Sequence, residues 1–224
     1  MTTKEKLQDL VKRYQCAKDK GQLQNASEAT MRTWIDELLS VFGWDVQNTH
    51  QVLTEHSLGK EEKEKLNQIG STNTRPDYTL VNGSVMLAFV DAKRNSIDIK
   101  NAKDIAFQIR SYGWSIGAPF SIVTNFETLA IYDCSPMPKI EDYANISRIY
   151  FLKYDEYVDK YEILDSFLSR TNVIAGNLKF VAKKANKLDE TFSKMLGDIR
   201  KKLAKAILKD NNVEDIKSLS SYVQ

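Results

Sequence analysis

The sequence predicts an α/β fold in which a mixed central sheet is flanked by helices. Three observations carry that expectation. A stripe at three- and four-residue steps, Met31, Trp34, Ile35, Leu38, Leu39 and Phe42, marks an amphipathic helix over about 27–41. An Asn82-Gly83 pair between two β-rich runs, 78–81 and 84–93, spells a hairpin, because both residues tolerate positive φ. Helical spacing over about 99–114 is then followed by two short apolar runs, 120–124 and 128–132. Helix, hairpin, helix, strand pair is an α/β order.

The remaining elements follow in chain order. Leu7, Leu10, Val11 and Tyr14 give a short helix over 4–17, and 21–25 break it. Asn25 or Ser27 can cap the second helix, and Gly43 ends it. Trp44 to Thr54 reads as a first strand. Residues 56–75 are polar and rich in turn formers, so they read as a mobile loop with at most one helical turn at 61–66. Ala102, Ile105, Ala106, Ile109 and Tyr112 share one face of the helix after the hairpin. Asn125-Phe126-Glu127 turns between the two later strands, 148–152 is a further strand, and 155–168 a helix. Beyond about Gly176 one long amphipathic stripe begins, Leu188, Phe192, Leu196, Ile199, Leu203 and Ile207, with no strand near it. We place a domain boundary there, giving 1–178 and 179–224.

Composition bounds the class. Of 224 residues, 42% are hydrophobic, enough for a sizeable core, and 28% are charged, which suits a soluble surface. No apolar run is long enough to span a membrane, and the charged N-terminus lacks the apolar centre of a secretory signal, which points to the cytoplasm. Cys16 and Cys134 sit apart without zinc-site spacing and read as reduced thiols. His50 and His56 suit the surface or a strand edge better than a metal. The net charge of +2 does not by itself name a nucleic-acid partner. Charge is uneven, with ten Lys/Arg against three Asp/Glu between Lys179 and Lys209, a solvated face or a phosphate-contacting one.

The chemistry concentrates in the hairpin. On its second strand, Leu87, Phe89, Asp91 and Lys93 share one face, so two opposite charges end an apolar strand about 7 Å apart. Asp77 opens the first strand at the end far from the turn, beside Asp91. Two carboxylates and an ammonium thus converge at one edge of the sheet. Carboxylate oxygens suit Mg²⁺, which keeps several waters. Such an ion can polarise a phosphodiester, while a lysine orients water and offsets developing charge. A lone D-x-K is more simply a salt bridge; the spaced Asp77 and the hairpin favour the metal.

Arg75-Pro76-Asp77-Tyr78, the hairpin, and Asp91-Ala92-Lys93 resemble the signature of the PD-(D/E)xK nucleases. The likeness extends to 27–32, 35–39 and 42–46, which resemble the opening of the nuclease domain in type IIG and related single-chain restriction-modification enzymes. It also takes in 106–112, which resembles the QxxxY helix of those domains, and 123–126 with 131–132, which resemble their later strand pair. It covers roughly residues 25 to 135, and the ordered set is far more specific than the triad alone.

The resemblance implies a restriction-endonuclease-like fold and Mg²⁺-dependent cleavage of double-stranded DNA, with Mn²⁺ as a substitute. Asp77, Asp91 and the Ala92 carbonyl would hold the metal, and Lys93 would serve the attacking water. Glu28 would complete the metal site, and Gln108 would sit beside it with Tyr112 packing one turn on. The family often has Glu where Asp91 stands, so the reach is shorter by one methylene. Glu28 falls on the inward stripe of its helix, yet an acid there could simply complement the helix dipole. Gln108 could likewise only mark a helix flank. The resemblance further implies that 179–224 begins a helical connector, followed in such enzymes by methyltransferase and target-recognition domains of the same polypeptide. Two rivals are the nuclease domain of a type I restriction motor subunit, and a DNA-binding or assembly module with a vestigial site.

Overall fold

The computed structural model describes residues 1–176. Its core is a six-stranded sheet in simple sequence order: β1 (Val52–Thr54), β2 (Tyr78–Asn82), β3 (Val85–Ala92), β4 (Phe120–Thr124), β5 (Thr128–Asp133) and β6 (Arg148–Lys153). All neighbours pair antiparallel except β3 and β4, which are parallel. A parallel pair needs a long crossover. That crossover is the loop from Lys93 followed by helix α4 (Lys103–Ile116), which ends on left-handed Gly117. The mixed sheet and flanking helices match the expected fold class.

Helices cover both faces. On one, α4 lays Ile105, Ala106, Ile109 and Tyr112 against Phe89, Val123, Ala130 and Tyr132. On the other lie α1 (Thr3–Asp19), α2 (Glu28–Val41) and α5 (Tyr161–Leu168), with a final short α6 (Arg170–Ala175). Leu7, Leu10 and Tyr14 of α1 and Met31, Ile35, Leu38 and Leu39 of α2 are buried, as their spacing requires. The Tyr14 ring meets Trp34, Phe126 and Tyr154, and Phe120 meets Phe167 edge-on at 5.1 Å. Ser27 caps α2, its hydroxyl accepting the Thr30 amide at 3.2 Å.

Four expectations need correction. The span 44–54 is strand only over Val52–Thr54, because Asp45 and Asn48 turn the chain by accepting the amides of Gln47 and His50. Trp44 instead points inward and donates its indole N–H to the Leu168 carbonyl at 2.7 Å. The polar span 56–75 contains a real helix, α3 (Lys60–Gln68), held by buried Leu66 and by Lys65, whose Nζ donates to the Ser115 carbonyl at 2.9 Å. The hairpin turn falls on Gly83-Ser84, one residue later than expected, with Asn82 paired to Val85 and Gly83 at φ +62°. The helix expected over 155–168 is a 3₁₀ turn, Tyr154–Glu156, followed by α5. The amphipathic stripe past residue 179, and the connector assigned to it, lie outside the described residues.

Gly113 shows how tightly α4 rides on the sheet. It has ordinary helical geometry, yet a Cβ there would come 2.4 Å from Cys134 Sγ and 2.6 Å from Ser121 Oγ. The strands beneath cannot recede without breaking β4–β5 pairing. Gly113→Ala is therefore expected to destabilise the fold by about 1–3 kcal/mol, although alanine is the better helix former. A urea midpoint at or above the parental value contradicts this.

Candidate metal centre

The hairpin register builds the site. Tyr78 pairs with Val90, so Asp77, one residue earlier, stands opposite Asp91. Asp77 Oδ2 accepts the Ala92 amide at 2.7 Å, which locks the first carboxylate across the end of β3. On the α4 face of β3, Phe89 meets Tyr112 at 5.8 Å between ring centres. Asp91 follows on that face, only 2% exposed. Its Oδ2 is bound by Lys93 Nζ, the side chain two residues on, as the strand alternation predicts. Lys93 is fixed in turn: its amide donates to the Thr124 carbonyl at 2.9 Å, prolonging the β3–β4 pairing.

The loop after Lys93 is pinned from below. Asn125 donates to the Ile97 carbonyl at 3.3 Å, and Asn95 donates to the Leu23 carbonyl at 3.1 Å. Between this loop and the start of α2 opens a cleft of about 640 Å³, whose walls include Ser27, Glu28, Lys93 and Arg94. Glu28 thus borders the same space as Lys93. Its side chain is 44% exposed, so it lies on the cleft rim rather than in the core, and its Oε1 is 3.4 Å from Arg32 Nη2.

Burial pushes the Asp91 carboxyl well above the usual carboxylate range; Lys93 pulls it back, and the neighbouring Asp77 pushes it up again. Two acids crowded at a buried strand end are the electrostatic situation a divalent cation relieves. Among the described residues no group of three or more His, Cys, Asp or Glu side chains is placed to hold a metal. The protein's own oxygens there would be Asp77, Asp91 and a backbone carbonyl such as that of Ala92. That partial donor set fits an ion that retains water, such as Mg²⁺. His50 and His56 are exposed, as expected.

On α4, Gln108 donates to the Tyr112 hydroxyl at 3.0 Å. Burial raises the Tyr112 phenol to about 12, and the negative charges of Asp91 and Asp77 add to the effect. Gln108 thus bonds Tyr112, whose hydroxyl lies in the field of the two carboxylates. The structure gathers Asp77, Asp91 and Lys93 directly, with Glu28 and Gln108 at the margin. Two further participants escaped the sequence reading. Arg32 binds Asp77 Oδ1, and Glu55 binds Arg32 Nη1 at 2.6 Å. Arg32 was detectable, since it lies four residues after Glu28 on one helix face. Glu55, one polar residue past a strand end, carried no signal.

Fold and site together define an α/β domain with paired acids and a lysine at one end of a mixed sheet. Over an alignment of 238 residues the chain is 31% identical to the "Type II restriction enzyme and methyltransferase RM.Eco57I" of Escherichia coli. The alignment takes in 100% of this chain and 23% of the relative, so the chain spans about a quarter of that protein's length. No protein-family model and no solved structure matches the chain. Among the described residues no helix is long and apolar enough to cross a membrane.

Proposed function

We propose that this chain is the Mg²⁺-dependent nuclease region of a type IIG-like restriction-modification enzyme and hydrolyses phosphodiester bonds of double-stranded DNA. The observation that carries this reading is the convergence of Asp77, Asp91 and Lys93 at the end of the hairpin, in a chain similar along its whole length to a restriction enzyme. The relative, longer than this chain and named also as a methyltransferase, supports further domains in the same polypeptide, a methyltransferase among them; a target-recognition domain is part of the same proposal.

Asp77 and Asp91, with the Ala92 carbonyl, would hold the ion directly, and the rim acid Glu28 would complete its surroundings from the edge of the cleft. When bound, the ion supplies Lewis-acid stabilisation of charge on the phosphodiester. The Ala92 amide fixes one oxygen of Asp77, so that carboxylate needs little reorganisation. Lys93, leaning on Asp91, orients water at the cleft and offsets the negative charge that grows on the phosphate oxygens. Gln108 steadies Tyr112 behind the carboxylates.

The test is a metal titration beside a cleavage assay. Mg²⁺ or Mn²⁺ is expected to bind and support cutting of duplex DNA, and Ca²⁺ to support little or none. Asp77→Ala with Asp91→Ala is expected to lose both calorimetric metal binding and cleavage. Parental divalent affinity in that double variant removes the metal centre from these residues.

A further inference from the structure

We propose that Arg32 is a tethered counter-cation of this centre, a positioning residue that competes with a divalent ion for Asp77 and is drawn aside by Glu55. The inference rests on the metal-centre reading above. Asp77 has two oxygens, and Oδ2 is already committed to the Ala92 amide. Oδ1 is the one left for an incoming ion, and Arg32 Nη2 holds it. The same nitrogen lies 3.4 Å from Glu28, the rim acid of the same centre, so a single guanidinium engages both. Its second nitrogen, Nη1, is bound by Glu55 at 2.6 Å. A guanidinium cannot escape by losing its proton, so it can yield only by moving.

Glu55 is held in place at a cost. Its φ of +47° is unusual for a residue with a side chain, and such strain persists only where the surroundings enforce it. Its amide donates to the Asp77 carbonyl at 2.9 Å, while its carboxylate holds Arg32. Glu55 is therefore fixed to Asp77 and to Asp77's competitor at once. Asp36 also faces Arg32, so acids outnumber cations around this guanidinium, an excess of negative charge that a divalent ion would meet.

Calorimetric titration of the full chain with Mn²⁺ tests the arrangement. Arg32→Met is expected to tighten Mn²⁺ binding about fivefold to tenfold, because a unit charge a few ångströms away is removed. Glu55→Gln is expected to weaken binding by a similar factor, since Arg32 then stays on Asp77. The double variant should bind as Arg32→Met alone does, because Glu55 acts through Arg32. If Arg32→Met does not fold, Arg32→Gln takes its place, with thermal melts checking each protein. Unchanged or weaker binding on loss of Arg32 overturns the proposal. So does an undiminished effect of Glu55→Gln in the Arg32→Met background, which marks simple action through space. The Asp77→Ala, Asp91→Ala control separates the two readings: if it keeps parental affinity the metal centre itself falls, and if it loses affinity only the role of Arg32 is at stake.

Discussion

Replacing Lys93 with alanine is expected to slow Mg²⁺-dependent cleavage of duplex DNA by about 10²–10⁴-fold while leaving DNA affinity within about twofold. The ammonium is mostly buried, fixed through the backbone to Thr124 and through its side chain to Asp91, and it faces the cleft that Glu28 borders. On the proposed nuclease function, a cation so placed does little for a distant DNA backbone but would act where charge grows on the reacting phosphate, so its loss would fall on the transition state. Asp91, left without its partner, responds by taking up a proton rather than by unfolding the strand, because burial already pushes its carboxyl upward. Single-turnover cleavage with saturating DNA and Mg²⁺ provides the check, and a rate near the parental one removes Lys93 from its assigned role.

The second large effect concerns stability. Arg110 on α4 has its side chain only 1% exposed, and its Nη1 donates at 2.8 Å to Oδ2 of Asp142, in the β5–β6 loop. Burial works against the charge on Asp142, but the hydrogen bonds from Arg110 and from the Lys139 amide outweigh it and hold the carboxyl below its ordinary value. Asp142→Ala strands a buried guanidinium, whose Nε already has no partner, and is expected to cost about 3–5 kcal/mol. The linkage to pH follows from the direction of the shift. A depressed acid contributes stability that is complete above the unfolded value, about 3.9, and that fades as pH falls through the lower folded value. Denaturant unfolding at pH 7 and at pH 3 should accordingly show the parental protein lose more stability than Asp142→Ala. Equal losses, or a variant as stable as its parent at pH 7, contradict the assignment.

Much of the architecture is local in origin and so was legible in the chain. The stripe from Met31 to Phe42 can bury itself only as a helix. The runs around Asn82-Gly83 pair as a hairpin, but a turn on those two residues would set Asp77 opposite Ala88; the later turn on Gly83-Ser84 and a bulge between Leu80 and Val81 bring it opposite Asp91. Lys93 follows on the Asp91 face by strand alternation alone. The turn at Asn125 was equally plain, since its side chain closes the loop on the Thr128 amide at 2.8 Å.

Other features depended on partners distant in sequence. Lys60–Gln68 offers one buried apolar residue, Leu66, and becomes a helix worth keeping only because α4 provides a surface to receive it. Trp44 had the character of a strand residue, but a carbonyl 124 positions away claims its indole N–H. Gly113 shows no conformational need for glycine; the need comes from Cys134 and Ser121 beneath it. Arg110 reads as a surface cation until Asp142 is seen to meet it. Arg32 and Glu55 join the acids only because the end of β1 and the start of α2 meet beside Asp77. Short-range periodicity and turn chemistry thus determined which residues carry the acids and the lysine. Long-range packing alone decided which charges surround them, because Coulombic and hydrogen-bond partners are chosen by distance in space and leave no period in the sequence.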